Sequence, residues 1–239
     1  GFRRVRAYGV AMDVEVVSVG DELLRGETVN TNATWLGRQL DDRGVDVTRV
    51  TVVPDDVSVI ASVVSASLDR ADAVVTTGGL GPTHDDRTMA AVARAVGVAV
   101  EPHPGARAWL AGETEYDVES LAPGTIDLPV GSRYLPNEVG VAPGCVVDGI
   151  YVLPGVPAEM KAMFELVADE FVGESRHASV VEVAQPEREI AATLAELEER
   201  FAVTVGSYPG GTVRVHLRSS DEDELRTAER WLRDRVEVT

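Results

Sequence analysis

The sequence predicts an α/β fold, a three-layer and mainly parallel sheet over residues 12–173, followed by a small α+β unit of order βαββα over residues 176–239. Three observations predict it. Short β-branched runs alternate with stretches whose apolar residues recur at helical spacing. Strands alternating with helices require right-handed crossovers, which bury a parallel sheet on both faces. After Gly173 the order changes to strand, helix, two strands and helix, the mark of a separate unit.

The elements follow in order. Asp13–Val19 reads as a buried strand that stops at Gly20. Asn32 is expected to cap a helix with Trp35, Leu36 and Leu40 on one face, closed by Gly44. Strand Val47–Val53 leads past Pro54 to a helix carrying Val59, Ile60, Val63, Val64 and Leu68. Strand Ala73–Thr77 leads to a glycine turn and a helix ending near Gly97. Between Pro102 and Pro136 proline, glycine and acidic residues increase, which predicts a helix around Trp109 and irregular chain after it. Gly144–Val147 and Ile150–Leu153 flank Asp148-Gly149, a strong hairpin signal. Pro157 suits the first turn of a helix running to about Val172. The tail reads as strand Ala178–Val183, helix Glu187–Arg200, strands Ala202–Ser207 and Thr212–Arg218, and a helix from Glu222.

Composition narrows the function. Against 22 Lys and Arg stand 40 Asp and Glu, a net charge of −18, and Lys161 is the only lysine. Such a surface repels nucleic acid and anionic membranes and suits solubility at high salt, where repulsion is screened within a few ångströms. A halophilic, cytoplasmic setting is expected. Cys145 is the single cysteine, so no internal disulfide can form, and no apolar run is long enough for a membrane span. Cys145 reads as a small buried residue. Arg3, Arg4 and Arg6 lack the apolar stretch of a signal peptide, and Met12 is a plausible start.

The segment TTGGLGPTHDDRT, residues 76–88, places Gly78, Gly79 and Gly81 between a strand and a helix and follows them with Asp85 and Asp86. Glycines let backbone amides approach a phosphate without an intervening Cβ, and two carboxylates beside an anion call for a divalent cation. The competing reading is helix-start chemistry, with Thr83 as cap and Asp86 completing a capping box. Asp21 and Glu22 after the first strand, Asn137 before the hairpin and Glu159 opening a helix converge on the same sheet edge, which shifts the balance toward a site; their competing readings are turn polarity, an Asx-turn and a helix-dipole carboxylate. The sequence carries no Walker motif, no GxGxxG in this turn and no cysteine pair for zinc. His84, His103, His177 and His216 are scattered.

The stretches GDELLRGETVNTNATWL (20–36), TTGGLGPTHDDRT (76–88), PNEVGVAPG (136–144) and LPGVPAEM (153–160) resemble the molybdopterin-binding-like domain of the competence/damage-inducible CinA family. The resemblance implies the fold of MogA and MoaB and a homo-oligomer. It also implies a small-molecule nucleotide or pterin as ligand: family members include metal-dependent pyrophosphatases cleaving ADP-ribose, and MogA-like relatives bind or adenylylate molybdopterin. Carried over residue by residue, the substrate-contacting set is Gly20, Asp21, Asn32, Thr77, Gly78, Gly79, Leu80, Gly81, Asn137, Gly155 and Glu159. The catalytic set is Asp86, Asp85 and Glu22, with Asp86 and Asp85 holding Mg²⁺, Mn²⁺ or Co²⁺. VGSYPGGTVRVHL (205–217) resembles the KH-like middle domain of the family but lacks the Gly-x-x-Gly clamp, and residues 176–239 hold 9 Arg against 13 Asp and Glu, so RNA binding is not expected. No amidase segment is recognised, so deamidation of nicotinamide mononucleotide is not expected either.

These readings predict a divalent-metal-dependent nucleotide pyrophosphatase acting on ADP-ribose-type substrates. The rivals are a pterin-binding or adenylylating enzyme of molybdenum-cofactor synthesis and a non-catalytic nucleotide-binding module.

Overall fold

The computed structural model describes residues 12–81, 87–113, 122–173 and 177–239. The chain divides into two compact units, Gly1–Gly173 and Glu174–Thr239.

The first unit runs β1 (Asp13–Val19), α1 (Asp21–Leu24), α2 (Thr31–Asp41), β2 (Asp46–Val53), α3 (Val57–Leu68), β3 (Ala73–Thr77) and α4 (Thr88–Val96). It continues through β4 (Val100–Pro102), α5 (Pro104–Glu113), β5 (Asp127–Pro129), β6 (Arg133–Leu135), β7 (Gly144–Val147), β8 (Ile150–Leu153) and α6 (Pro157–Glu165). Among the described residues a six-stranded sheet has the order β2-β1-β3-β8-β7-β6. β1, β2, β3 and β8 are parallel, and β7 is antiparallel to both β8 and β6. β4 and β5 pair separately.

Alternation along the strands sends side chains into two cores. On one face Val14, Val16, Val75 and Leu153 pack on Leu36 and Leu40 of α2 and Met160 and Phe164 of α6. On the other, Val17, Val19, Val74 and Val152 pack on Ile60 and Val64 of α3 and Val92 of α4. Each fully buried Leu, Ile or Phe contributes roughly 1.5–3 kcal/mol, so the sheet is fixed from both sides. The caps are local. Asp56 accepts from the Ser58 and Val59 amides to start α3, and Gly97 ends α4 in the left-handed region at φ 77°. The β7–β8 turn carries Asp148 at φ 47° and Gly149 at φ 82°, the paired positive values that an Asp-Gly hairpin turn supplies.

α2 and α3 cross the sheet on opposite faces, and β2 and β3 lie on opposite sides of β1. Connections therefore diverge between β1 and β3. In open α/β sheets this switch point, at the carboxyl ends of the strands, is where the loops part to leave a crevice.

At the other end of β1, Glu15 is buried at 2% exposure. It accepts from Ser67 Oγ at 2.6 Å and from Arg70 Nε and Nη2, each at 2.8 Å. The hydrogen-bonded guanidinium holds the Glu15 carboxyl below its ordinary value, outweighing the effect of burial. This pair sits at the amino ends of the strands and supports the sheet rather than the crevice.

Two sequence expectations need correction. α6 does not continue to Val172: it ends at Glu165 and a 3₁₀ turn follows at Ala168–Glu170. The break lets Val167, Ala168 and Phe171 all reach the core beside α6. Residues 102–136 are not simply irregular after α5, because β5 and β6 form there; three-residue strands leave too short a pattern to read.

The second unit comprises β9 (His177–Val183), α7 (Glu187–Arg200), β10 (Thr204–Tyr208), β11 (Val213–Ser219) and α8 (Glu222–Arg233). β11 lies between β10 and β9, antiparallel to both. Val181, Val215 and Leu217 pack against Ile190 and Leu197 of α7 and Leu232 of α8.

Candidate functional site

Gly78 and Gly79 leave β3 with φ of 108° and 67°, backbone that side chains disfavour. Space excludes a side chain as well. A Cβ on Gly78 would collide with the Val19 carbonyl oxygen, and one on Gly79 with Thr88 Oγ1. Thr88 locks the turn by donating its hydroxyl to the Gly78 carbonyl at 2.8 Å. Gly155, after β8, crosses directly over it: a Cβ there would lie 3.2 Å from Gly78 Cα. The carboxyl ends of β1, β3 and β8 thus meet without intervening side chains.

Two hollows flank this crossing. A cleft of about 580 Å³ is lined by Gly20, Asp21, Glu22, Arg25, Asp55, Gly78, Gly79, Arg87 and Gly155. A niche of about 90 Å³ is lined mainly by Ser18, Leu23, Val29, Asn30, Thr31, Asn32, Thr77 and Pro157. Val19, Glu22 and Gly155 line both. One hollow is charged; the other mixes hydroxyls and amides with apolar walls.

Asn32 is not the helix cap expected of it. Asn30 caps α2, its Oδ1 accepting from the Ala33 amide, because Thr31 already has helical geometry. Asn32 sits in the first turn at 9% exposure and its Nδ2 donates to Thr77 Oγ1 at 3.0 Å and the Gly155 carbonyl at 2.7 Å. Thr77 in turn donates to the Pro154 carbonyl at 2.7 Å. One residue therefore ties α2, β3 and the β8 loop together. Its Oδ1 is buried, and among the described residues no group donates to it, which leaves an unmet acceptor beside the niche.

Asp55 organises the cleft wall by accepting from the Asp21 amide at 2.9 Å. Asp21 Oδ2 accepts from Arg25 Nη2 at 2.6 Å, and the Glu22 carboxylate lies over Gly20. Sequence reasoning missed Arg25, Asp55 and Arg87. Arg25 stands four residues from Asp21, a helical spacing that offered a signal; Asp55 and Arg87 offered none beyond their position after β2 and before α4.

The predicted residues are distributed unevenly. Gly20, Asp21, Glu22, Asn32, Thr77, Gly78, Gly79 and Gly155 line the two hollows. Leu80 is instead part of the core beneath the turn. Asn137 and Glu159 form a cluster of their own: Asn137 Nδ2 donates to the Ala142 carbonyl and to Glu159 Oε2, and its Oδ1 accepts from the Gly140 amide. Asn137 thereby closes its loop, and neither residue is among those lining the two hollows described. Thr83, His84, Asp85 and Asp86 lie outside the described residues. α4 begins at Thr88 with Arg87 in the cap position. Among the described residues no three His, Cys, Asp or Glu side chains stand close enough to hold a metal ion. Cys145 is buried, and burial pushes its thiol up to about 12, as expected of an inert core residue.

Residues 15–174 match the family described as probable molybdopterin binding domain. The protein CinA of Thermoplasma acidophilum, whose crystal structure is described as of unknown function, is 36% identical; the match covers 68% of this chain and 99% of that one, with a TM-score of 0.61. The chain belongs to the CinA family. A CinA-like protein of Frankia casuarinae is 45% identical over 64% of this chain but only 38% of its own, so this chain spans a minor part of that relative. A protein of Aeropyrum pernix is 41% identical over 88% of this chain and 87% of its own length. In this CinA-family chain residues 175–239 match a domain described as FAD synthase, middle domain, a different description from the KH-like one expected of the tail.

Proposed function

We propose that the chain binds a small molecule in which a nucleoside or pterin carries phosphate, and that it hydrolyses a nucleotide diphosphate of the ADP-ribose type. The observation that supports this most is the side-chain-free crossing of Gly78 and Gly155 between a charged cleft and a hydroxyl-lined niche. A ligand laid over it places phosphate against the Gly78–Gly79 backbone, with Arg25 and Arg87 on the cleft walls, and a ring or sugar in the niche. There the unpartnered Asn32 Oδ1 gains a donor from the ligand's amino or hydroxyl group.

Hydrolysis adds water across the P–O–P linkage: the water oxygen bonds to one phosphorus, the bridging oxygen leaves with the other, and two protons are released. The chain's part is to orient the diphosphate, to balance the developing charge with fixed amides and guanidinium groups, and to hold a hydroxyl or water at Glu22. A divalent ion, Mg²⁺, Mn²⁺ or Co²⁺, held by Asp86 with Asp85, belongs to the proposal and would add charge neutralisation and a more acidic water. Homo-oligomeric assembly and a cytoplasmic location belong to it too.

The description of the matching family favours a second reading, molybdopterin as the ligand. The test is to incubate protein and divalent metal in high salt with ADP-ribose, and separately with molybdopterin and ATP, and to identify products by mass. AMP with ribose 5-phosphate supports hydrolysis. Adenylylated pterin supports the second reading, and intact reagents leave only binding. Asp86→Asn lowers turnover by orders of magnitude if the aspartate holds metal. Full activity in that variant would return it to helix-start chemistry.

A further inference from the structure

The sheet of the second unit packs α7 and α8 on one face, through Val181, Val215 and Leu217. Alternate residues along each strand turn to the other face, where Val180 is 44% and Tyr208 51% exposed. The register sets that face out as a grid of three rows across β10, β11 and β9: Thr204, Arg218 and Ala178; then Gly206, His216 and Val180; then Tyr208, Arg214 and Glu182. The Tyr208 and His216 rings meet edge to face, their centroids 4.8 Å apart. Gly206 makes room for this contact, since a Cβ there would lie 3.3 Å from Tyr208 Cε2. The middle of the face is thus built of small and aromatic residues.

Charge is distributed unevenly over the unit. Of the 13 Asp and Glu from residue 176 onward, Glu182 is the one that lies on a strand; the others stand on α7, α8 and the segments beside α8. A face so poor in carboxylates, on a chain of −18, has the composition of an interface core. Its two opposite charges point to what covers it. Arg214 and Glu182 are register partners on neighbouring strands, and both are exposed. A twofold axis between two such faces, parallel to the strands and midway between β11 and β9, exchanges these strands. Arg214 then comes opposite Glu182 of the partner subunit, and His216 opposite Val180 of the partner subunit. Facing sheets stay aligned in this arrangement, about 10 Å apart, as packed sheets favour. Arg218, already engaged in an interaction of its own, lies in the end row. A nucleic acid fits the face less well, because Glu182 and the net negative charge of the unit repel phosphate.

Resting on the homo-oligomer proposed above, we propose that the open face of β9, β10 and β11 is where two copies of this chain pair, with Arg214 and Glu182 exchanged across a twofold axis. The patch is small, so the pairing is a reversible one.

Sedimentation equilibrium of the full chain, in KCl enough to screen the net charge, tests this on wild type, Arg214→Glu, Glu182→Arg and the double variant. Wild type is expected to dimerise with a Kd of roughly 1–100 µM. Each single reversal sets two like-charge contacts into a twofold dimer and should weaken it by about tenfold or more. The double variant restores both contacts with the signs swapped, and its Kd should return to within about threefold of wild type. Thermal melts run beside them should hardly move, since both side chains are exposed. No rescue in the double variant, or an unchanged Kd in both single variants, overturns the assignment. A dimer indifferent to every variant keeps the homo-oligomer and removes this face; a monomer at all concentrations removes both. Labelled single-stranded RNA that binds wild type, and is lost in Tyr208→Ala by anisotropy, would give the face to nucleic acid and overturn the pairing.

Discussion

Gly78 shows how one residue supports both fold and site. Its φ of 108° and its contact with the Val19 carbonyl exclude any Cβ, so Gly78→Ala should cost about 1–3 kcal/mol and weaken ligand binding, read by denaturant melts and titration. Its backbone conformation was legible because three glycines in four positions mark a turn that side chains disfavour. Asn32 was legible only in part. Its place in VNTNATWL suggested a cap, but the cap falls two residues earlier and frees Asn32 to bridge Thr77 and Gly155, partners more than 40 positions away. Glu15 was not legible, since its partners Ser67 and Arg70 come from a distant helix and turn. Glu15→Gln should cost about 1–3 kcal/mol, the worth of a hydrogen bond to a charged group. The folded carboxyl titrates below its unfolded value of about 4.3, so this contribution is complete above that pH and lost as pH falls through the lowered folded value. Unfolding free energies of wild type and Glu15→Gln measured against pH should therefore stay apart above the unfolded value and converge only as pH falls below the lowered folded one.

At the scale of elements, caps and turns with chemistry of their own were readable: the Asp148-Gly149 hairpin, Gly97 ending α4 and Pro157 opening α6 all lie where their residue types favour them. Elements defined by distant pairing were not. β6 gains its strand character from β7, and the end of α6 from the core that takes in Phe171. Gly173 is packed too closely for a side chain against Gly44, and its amide donates to the Arg43 carbonyl at 3.0 Å, so the first unit is finished at that residue. A chain ending at residue 175 is expected to fold and to bind pyrophosphate as the full chain does. Folding without binding, seen in circular dichroism and titration together, would mean that the tail contributes to the site.

The whole molecule carries −18, and among the described residues no helix is long and apolar enough to cross a membrane. Carboxylate repulsion opposes compaction until it is screened. The melting temperature is therefore expected to rise markedly from low to molar KCl, and a flat profile would count against the halophilic reading while leaving the site untouched. Amide NMR of the full chain titrated with ADP-ribose reads out directly where a phosphorylated ligand sits. Shifts are expected to concentrate at Gly20, Asn32, Gly78, Gly79 and Gly155, on both sides of the crossing. Saturable binding with those amides unmoved, and shifts gathered on another surface, would contradict it.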